Sequence, residues 1–157
     1  MKQKTLIAAL AVALATASPA LANKTEVNQP PAQHFVEMWN KDPDDKKRKM
    51  VFSEEILVVE PGDLIQFVAT DKGHNVQFID GPDGVELPKK SKISNDVMIT
   101  LDEPGVYVYV CTPHASMGMM GIVVVGELTQ EGIDAVRDAK VRGKSKKKFE
   151  ALLAELP

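Results

Sequence analysis

One short segment, from Cys111 to Met119, carries a thiol, an imidazole and thioethers. Cys111 and His114 are separated by two residues, so one loop can direct both side chains at a single ion, and Pro113 restricts the backbone between them. A thiolate, two imidazoles and a weak axial thioether form a mononuclear electron-transfer copper site. His74, in a glycine-containing segment upstream, is the candidate for the second imidazole. The sequence therefore predicts a copper site shared between two loops.

Cys111 is the only cysteine of the chain, so it cannot form an internal disulfide. A free thiol in an oxidising compartment is either buried and inert or bound to a metal, and the neighbouring ligands favour the metal. Zinc also accepts thiolate and imidazole, but it usually takes four firm ligands or an open water position. No Asp or Glu occurs between Val106 and Val125 to act as a base. A copper-binding protein for delivery or storage and a hydrolytic zinc enzyme are the second and third alternatives.

The N-terminus has the features of a secretory signal peptide: Lys2 and Lys4, an apolar run over 6–15, and small residues before Ala22. The apolar run is too short to span a bilayer. Cleavage after Ala22 would change the net charge from −3 to −5, and a mildly acidic protein argues against nucleic acid as a partner. The expected organisation is a signal peptide, a flexible extension and one domain, at 1–22, 23–33 and 34–157.

Short apolar runs that are interrupted by Gly and Pro predict a mainly β protein, an antiparallel sandwich or barrel. Strands are expected at 35–39, 51–52, 56–59, 64–68, 76–79, 97–101, 106–110 and 122–125. The C-terminal region has helical spacing instead, with one helix around 133–139 and a second around 149–156 that Ser145 could cap. We expect these two α-helices to cover the sandwich.

From about Val36 to Pro157 the chain resembles the pseudoazurin family, which are small periplasmic blue copper proteins of the cupredoxin type. The matching segments are Val-Glu-Pro-Gly-Asp (59–63), Thr-Asp-Lys-Gly-His-Asn-Val (70–76), Lys-Ser-Lys-Ile (90–93), Pro-Gly-Val-Tyr (104–107), Cys-Thr-Pro-His (111–114) and Met-Gly-Met (117–119). The resemblance implies a cupredoxin Greek-key β-sandwich with two C-terminal α-helices. It also implies a periplasmic electron carrier with one type 1 copper ion and no catalysis of its own.

The resemblance implies two imidazoles, one thiolate and one thioether as copper ligands: His74, Cys111, His114 and Met119. Asn75 would bond across to the loop that follows Cys111 and hold the two loops together. Met117 and Met120 remain alternatives for the axial sulfur, because Met117 would reproduce the shorter ligand loop of amicyanin, another cupredoxin. Expected partners are copper nitrite reductase, nitrous oxide reductase or a c-type cytochrome, and we expect a monomer without a membrane span.

Members of this family present an apolar patch around the second histidine, and Met50, Pro113 and Met117 match it. Charged residues at the rim of such a patch steer encounter with a partner. Pseudoazurins often present lysines there, and four lysines of this chain could supply the rim: Lys41, Lys72, Lys90 and Lys92. The chain departs from the family pattern at Val110, where a lysine is common, and at Ala115-Ser116, where an aromatic-Gly pair is more usual.

Overall fold

Eight strands form two four-stranded sheets in the computed structural model of the chain, which describes residues 30–156. The strands are β1 Gln33–Lys41, β2 Lys49–Phe52, β3 Ile56–Val59, β4 Leu64–Val68, β5 Gln77–Asp80, β6 Val97–Thr100, β7 Gly105–Val110 and β8 Met120–Val125. A 3₁₀ turn at Ala115–Met117 and two helices, α1 Gln130–Val136 and α2 Ser145–Glu155, complete the described elements. The strand predictions are confirmed within two residues at each end.

The strand order is β2-β1-β4-β6 in the first sheet and β3-β8-β7-β5 in the second. Two pairings are parallel, β1 with β4 and β3 with β8, whereas the antiparallel prediction holds for the other four. Parallel neighbours need a crossover connection, and here the chain crosses to the opposite sheet between the two paired strands. The structure is thus a mixed two-sheet sandwich, and the barrel alternative is wrong.

Strands β7 and β8 are buried on both faces because each face is covered by a different layer. Alternate side chains point to opposite sides of a strand. Tyr107 and Tyr109 face the core between the sheets, while Val106 and Val108 face the layer that contains the helices. The Tyr109 ring lies edge-on to Phe52 with ring centroids 4.8 Å apart, and its hydroxyl donates to a backbone carbonyl. This two-sided burial explains the continuous apolar runs of these strands.

The two helices pack on the outer face of the second sheet, as predicted, through Val136 of α1 and Phe149 and Leu152 of α2. The predicted cap of α2 is wrong. Ser145 is the first residue of the helix, and its hydroxyl donates to the carbonyl of Ala115 instead of capping a helical N–H. Neither helix in the described range has the length and apolar character that a membrane span requires.

The start of β1 at Gln33 lies one residue inside the segment predicted as a flexible extension. Ala32 is also held, since its N–H donates to Asp63 Oδ1 at 2.8 Å and its carbonyl accepts from Leu64. Extended backbone therefore begins slightly earlier than the sequence suggested, because a buried carboxylate binds it. The predicted signal peptide and the rest of the extension up to residue 29 lie outside the described residues.

Asp63 is a buried carboxylate that binds the chain at the start of β1. Besides Ala32, the Glu60 N–H donates to Asp63 Oδ2 at 3.0 Å, and His34 Nε2 lies 2.9 Å from the same oxygen. Burial alone would raise the pKa of Asp63, but the hydrogen bonds from His34 and from the two backbone N–H groups outweigh it and lower the pKa. The charged form of Asp63 is therefore bound more tightly in the folded state than in the unfolded chain.

We expect Asp63→Asn to lower the free energy of unfolding by about 1–3 kcal/mol at neutral pH, because a charged acceptor of several hydrogen bonds is lost. A depressed folded-state pKa contributes stability above the unfolded pKa, and this contribution is lost as the pH falls through the folded value. The difference between the two proteins should thus shrink below about pH 4. Denaturant unfolding at several pH values tests this, with Asp83→Asn at an exposed position as control. An undiminished difference in acid would contradict the role of Asp63.

Candidate metal centre

His74 lies in the loop between β4 and β5 and is fully buried. Its backbone carbonyl accepts from the Ser94 N–H at 2.8 Å, and Ser94 Oγ in turn accepts from the Gly73 N–H at 2.9 Å. Its ring nitrogen Nε2 lies 3.1 Å from Asn40 Oδ1. When Nε2–H donates to Asn40, the lone pair of the ring lies on Nδ1 and is available to a metal. The loop and the ring orientation are therefore both fixed by hydrogen bonds.

The segment from Cys111 to Met119 connects β7 and β8 and is closed by its own backbone. The Cys111 N–H donates to the Met119 carbonyl at 3.0 Å, while the His114 N–H donates to the Cys111 carbonyl at 3.0 Å. The Met119 N–H donates to the His114 carbonyl at 3.3 Å. Three side chains with metal-binding atoms thus emerge from one tight, internally bonded loop, which we call the ligand loop.

The two loops bring His74, Cys111 and His114 together, as a group that could hold a metal ion. The Nδ1 atoms of the two histidines are 3.1 Å apart, and Cys111 Sγ lies 3.6 Å from His74 Nδ1 and 3.5 Å from His114 Nδ1. A point in the plane of these atoms lies about 2.0 Å from each, which matches the roughly 2.0–2.1 Å of zinc–nitrogen bonds and is slightly shorter than the roughly 2.3 Å of zinc–sulfur bonds. The three side chains are therefore close enough together to hold one first-row metal ion.

Burial sets the protonation of these three side chains. It lowers the pKa of His74, which the neighbouring His114 lowers further, and it also lowers the pKa of His114. It raises the pKa of Cys111, although hydrogen bonds from the backbone of Asn75 and His114 oppose this shift. The chain alone thus favours neutral imidazoles and a neutral thiol. A bound cation would supply the compensating charge that a buried thiolate needs.

The three methionines of the ligand loop region occupy different environments. Met119 is fully buried in the core between the sheets, in the same cluster as Cys111. Met120 begins β8 and faces the opposite side, in the cluster with the helices. Met117 is 50% exposed. The alternation along the strand therefore favours Met119 over Met120 as a neighbour of the metal cluster, and exposure disfavours Met117.

Asn75 bridges the two loops, at the position that the resemblance implied. Its Oδ1 accepts from both the N–H and the hydroxyl of Thr112, each at 2.9 Å, and the side chain is almost fully buried. The strand register explains this contact, because Gln77 of β5 pairs with Val110 of β7. The same antiparallel register continued for two residues brings Asn75 opposite Thr112. Pairing of these strands therefore positions one loop against the other.

Sequence reasoning missed the residues that hold the ligand loop and the His74 ring from outside. Asn40, next to the ring of His74, is 34 positions away along the chain and has no local sequence signal. The turn before α2 also contacts the ligand loop. Lys144 N–H donates to the Ser116 carbonyl at 2.9 Å, and Ser145 Oγ donates to Ala115. The second helix therefore fixes the ligand loop in addition to covering the sandwich.

Gly143 permits this close approach of the turn to the ligand loop. Its φ of +59° lies in the left-handed region that favours glycine. A Cβ atom at this position would also lie 2.5 Å from the Ser116 carbonyl oxygen. Any larger residue would therefore push the turn away from the loop.

The residues predicted for docking are at or near the surface. Pro113 and Met117 are exposed, while Met50 and His114 are partly buried. The four lysines predicted for the rim, Lys41, Lys72, Lys90 and Lys92, are all exposed. Lys72 lies in the His74 loop, and Lys90 and Lys92 flank Ser91, whose backbone N–H donates to the loop residue Val76. These lysines thus belong to segments that surround the His74 side of the site.

Comparisons with known proteins agree with the geometry of this site. Residues 40–126 match the family described as copper binding proteins, plastocyanin/azurin family. The chain is 42% identical to the pseudoazurin of Paracoccus pantotrophus, over 99% of both chains. Among solved structures, a pseudoazurin from Sinorhizobium has a TM-score of 0.71 at 44% identity, covering 79% of this chain and 95% of that one. The pseudoazurin of Hyphomicrobium denitrificans has a TM-score of 0.71 at 37% identity, over 80% and 99% of the respective chains.

We expect Ser145→Ala to loosen the ligand loop, because it removes the buried hydroxyl that binds the Ala115 carbonyl. The free energy of unfolding should fall by about 1–3 kcal/mol, and the amide hydrogens of Met117 and Gly118 should exchange faster in the copper-free protein. Ser116→Ala is the matched control, since that side chain is exposed in the same loop. Hydrogen exchange followed by NMR measures the effect. Equal exchange rates in the two variants would refute the proposed anchoring by α2.

Proposed function

The chain belongs to the pseudoazurins, within the plastocyanin/azurin family of copper-binding proteins, and we therefore propose that it shuttles single electrons between periplasmic redox proteins. It is a blue copper electron-transfer protein of the cupredoxin fold, with copper as its cofactor. Members of this family carry electrons, and we propose that this chain likewise has no catalytic activity of its own.

The main support for the electron-transfer proposal is the convergence of His74, Cys111 and His114, whose ligand atoms lie within 3.6 Å of one another. Copper supplies a one-electron change between Cu(I) and Cu(II), which is fast when the ligands need not move. The chain meets this requirement by hydrogen bonds that fix each ligand. Asn40 orients the ring of His74, and Asn75 joins the two loops. Ligands that are held in place in this way suit electron transfer in both directions.

We propose that the four ligands are His74, Cys111, His114 and Met119. The clustering of the ligand atoms of His74, Cys111 and His114 around one point supports these three residues. The burial of Met119, and its backbone hydrogen bonds to both Cys111 and His114, support Met119 as the residue that would supply the thioether. A weak axial thioether completes the donor set that is typical of blue copper sites.

Burial of the ligands favours retention of copper over delivery. His74, Cys111 and Met119 are inaccessible to solvent, whereas delivery sites need exchangeable, open ligands. His114 is the partly exposed member of the cluster, next to the exposed side chain of Pro113. We propose that electrons enter and leave at this edge. Met50, Pro113 and Met117 would form the apolar contact, and four exposed lysines would steer encounter at its rim: Lys41, Lys72, Lys90 and Lys92.

The proposed compartment is the periplasm, because the N-terminal sequence has the pattern of a secretory signal peptide and the family resemblance implies this location. The proposed partners are a copper nitrite reductase, a nitrous oxide reductase or a c-type cytochrome, again from the resemblance. These partners would form transient complexes through small interfaces.

We expect the copper-loaded protein to have an intense visible absorption band that Cys111→Ser abolishes. A thiolate is the ligand from which such strong charge transfer to copper arises, and serine cannot replace it. Visible absorption, copper content and circular dichroism should be measured together. Retention of the intense band in a folded, copper-loaded Cys111→Ser protein would contradict the ligand assignment.

We expect Met119→Gln to shift the visible spectrum and the reduction potential, because the axial ligand tunes the potential of a blue copper site. The same substitution at the exposed residue Met117 is the matched control and should change the spectrum much less. Spectroelectrochemistry of both variants provides the comparison. A larger spectral change for Met117→Gln would show that the shorter, amicyanin-like ligand spacing is correct.

A further inference from the structure

A basic groove lies beside the ligand loop, between the segment that leads into β2 and helix α2. It has a volume of about 620 Å³, and none of the four lysines predicted for the rim lines it. Six cationic side chains line it: Lys47, Arg48, Lys49, Lys144, Lys147 and Lys148. We call this surface the α2 groove.

Most of the positive charge of the α2 groove is not neutralised. Arg48 pairs with Asp42 and Glu55, and Lys148 also pairs with Glu55. The other four groove lysines are exposed, and they form no ion pair with any residue in the range 30–156: Lys47, Lys49, Lys144 and Lys147. A chain with a net charge of −3 therefore concentrates an excess of positive charge on one surface.

Part of this charge is unfavourable for the isolated protein. Lys147 and Lys148 lie in the first turn of α2, which contains no acidic residue. Cations near a helix N-terminus are disfavoured because the aligned peptide dipoles leave positive charge there. Like charges in one groove also repel each other. Contact with an acidic surface would relieve both effects.

The α2 groove also reaches the ligand loop. Met117 and Gly118 of the ligand loop form part of its lining, together with the apolar side chains of Val51 and Ala151. Met117 is 50% exposed. An acidic partner in the groove would thus contact the ligand loop at Met117, whose backbone N–H donates to the carbonyl of His114. Charged contacts that surround a small apolar contact are suited to a fast, transient complex.

We propose that the α2 groove is the principal electrostatic docking surface for an acidic face of the electron-transfer partner. This inference rests on the proposed electron-transfer function, and it specifies from which side the partner approaches. The partner contacts Lys47 and Lys49 on one wall and Lys144 and Lys147 on the other, with Met117 at the end nearest the copper ligands. The lysines near the His74 loop then contribute less to association.

Charge reversals of equal size test where the docking surface lies. Lys47→Glu with Lys147→Glu should slow association with a copper nitrite reductase by about tenfold or more at low salt, and it should weaken the salt dependence. Lys140→Glu with Lys146→Glu is the matched control, because it changes the net charge equally at exposed positions outside the groove. Lys72→Glu with Lys90→Glu tests the rival surface. The groove is excluded if the rival pair, or the control pair, slows association as much as the groove pair does.

A second experiment does not depend on electron transfer. An oligoglutamate peptide is titrated into the copper(I)-loaded protein, and amide NMR shifts are followed. We expect saturable shifts at 47–49, 117–118 and 144–151, which the groove substitutions abolish. Shifts centred on Lys72 and Lys90, or no saturable shifts, would overturn the inference. Failure of the proposed function is recognised separately, as absence of the blue absorption band in the unsubstituted protein.

Discussion

The hydrogen bonds from Thr112 to the side chain of Asn75 are the contact on which the metal centre depends. They join two loops that are far apart in sequence, and they exist because the register of β5 and β7 brings these residues opposite each other. A buried amide oxygen with two donors is costly to separate, since each unpaired group would lose its partner without gaining water. The bond therefore keeps His74 beside Cys111, and the cluster of ligand atoms follows from the sandwich itself.

Helix α2 has three roles, and different residues of the helix perform each of them. Phe149 and Leu152 pack on the sheet and stabilise the helix. Ser145, at its first turn, binds the ligand loop from outside. Its exposed lysines give one side of an otherwise acidic protein a positive charge. The packing of the sandwich, the shape of the ligand loop and the electrostatic surface are thus coupled through a single helix. A substitution in α2 can therefore change all three.

Local sequence patterns predicted the strands and the ligand candidates because both depend on short spacings. The spacing of Cys111, His114 and Met119 directly after an apolar strand, together with His74 after another strand, indicated a shared ion. Contacts between distant segments were not predictable in the same way. Asn40 beside His74, and Ser145 beside Ala115, look like ordinary polar residues until the fold brings them together. The parallel pairings of β1 and β3 were missed for the same reason, since they depend on topology.

Hydrogen bonds within the protein fix both loops that provide the ligand atoms, so we expect these atoms to keep their positions when copper is removed. Crystal structures of the copper-free and copper(II)-loaded protein at high resolution test this expectation most directly. We predict that His74 Nδ1, Cys111 Sγ and His114 Nδ1 bind copper and shift by less than about 0.5 Å between the two structures, with the Asn40 and Asn75 bonds retained. A ligand loop that rearranges on copper binding, or a different set of ligands, would contradict this expectation.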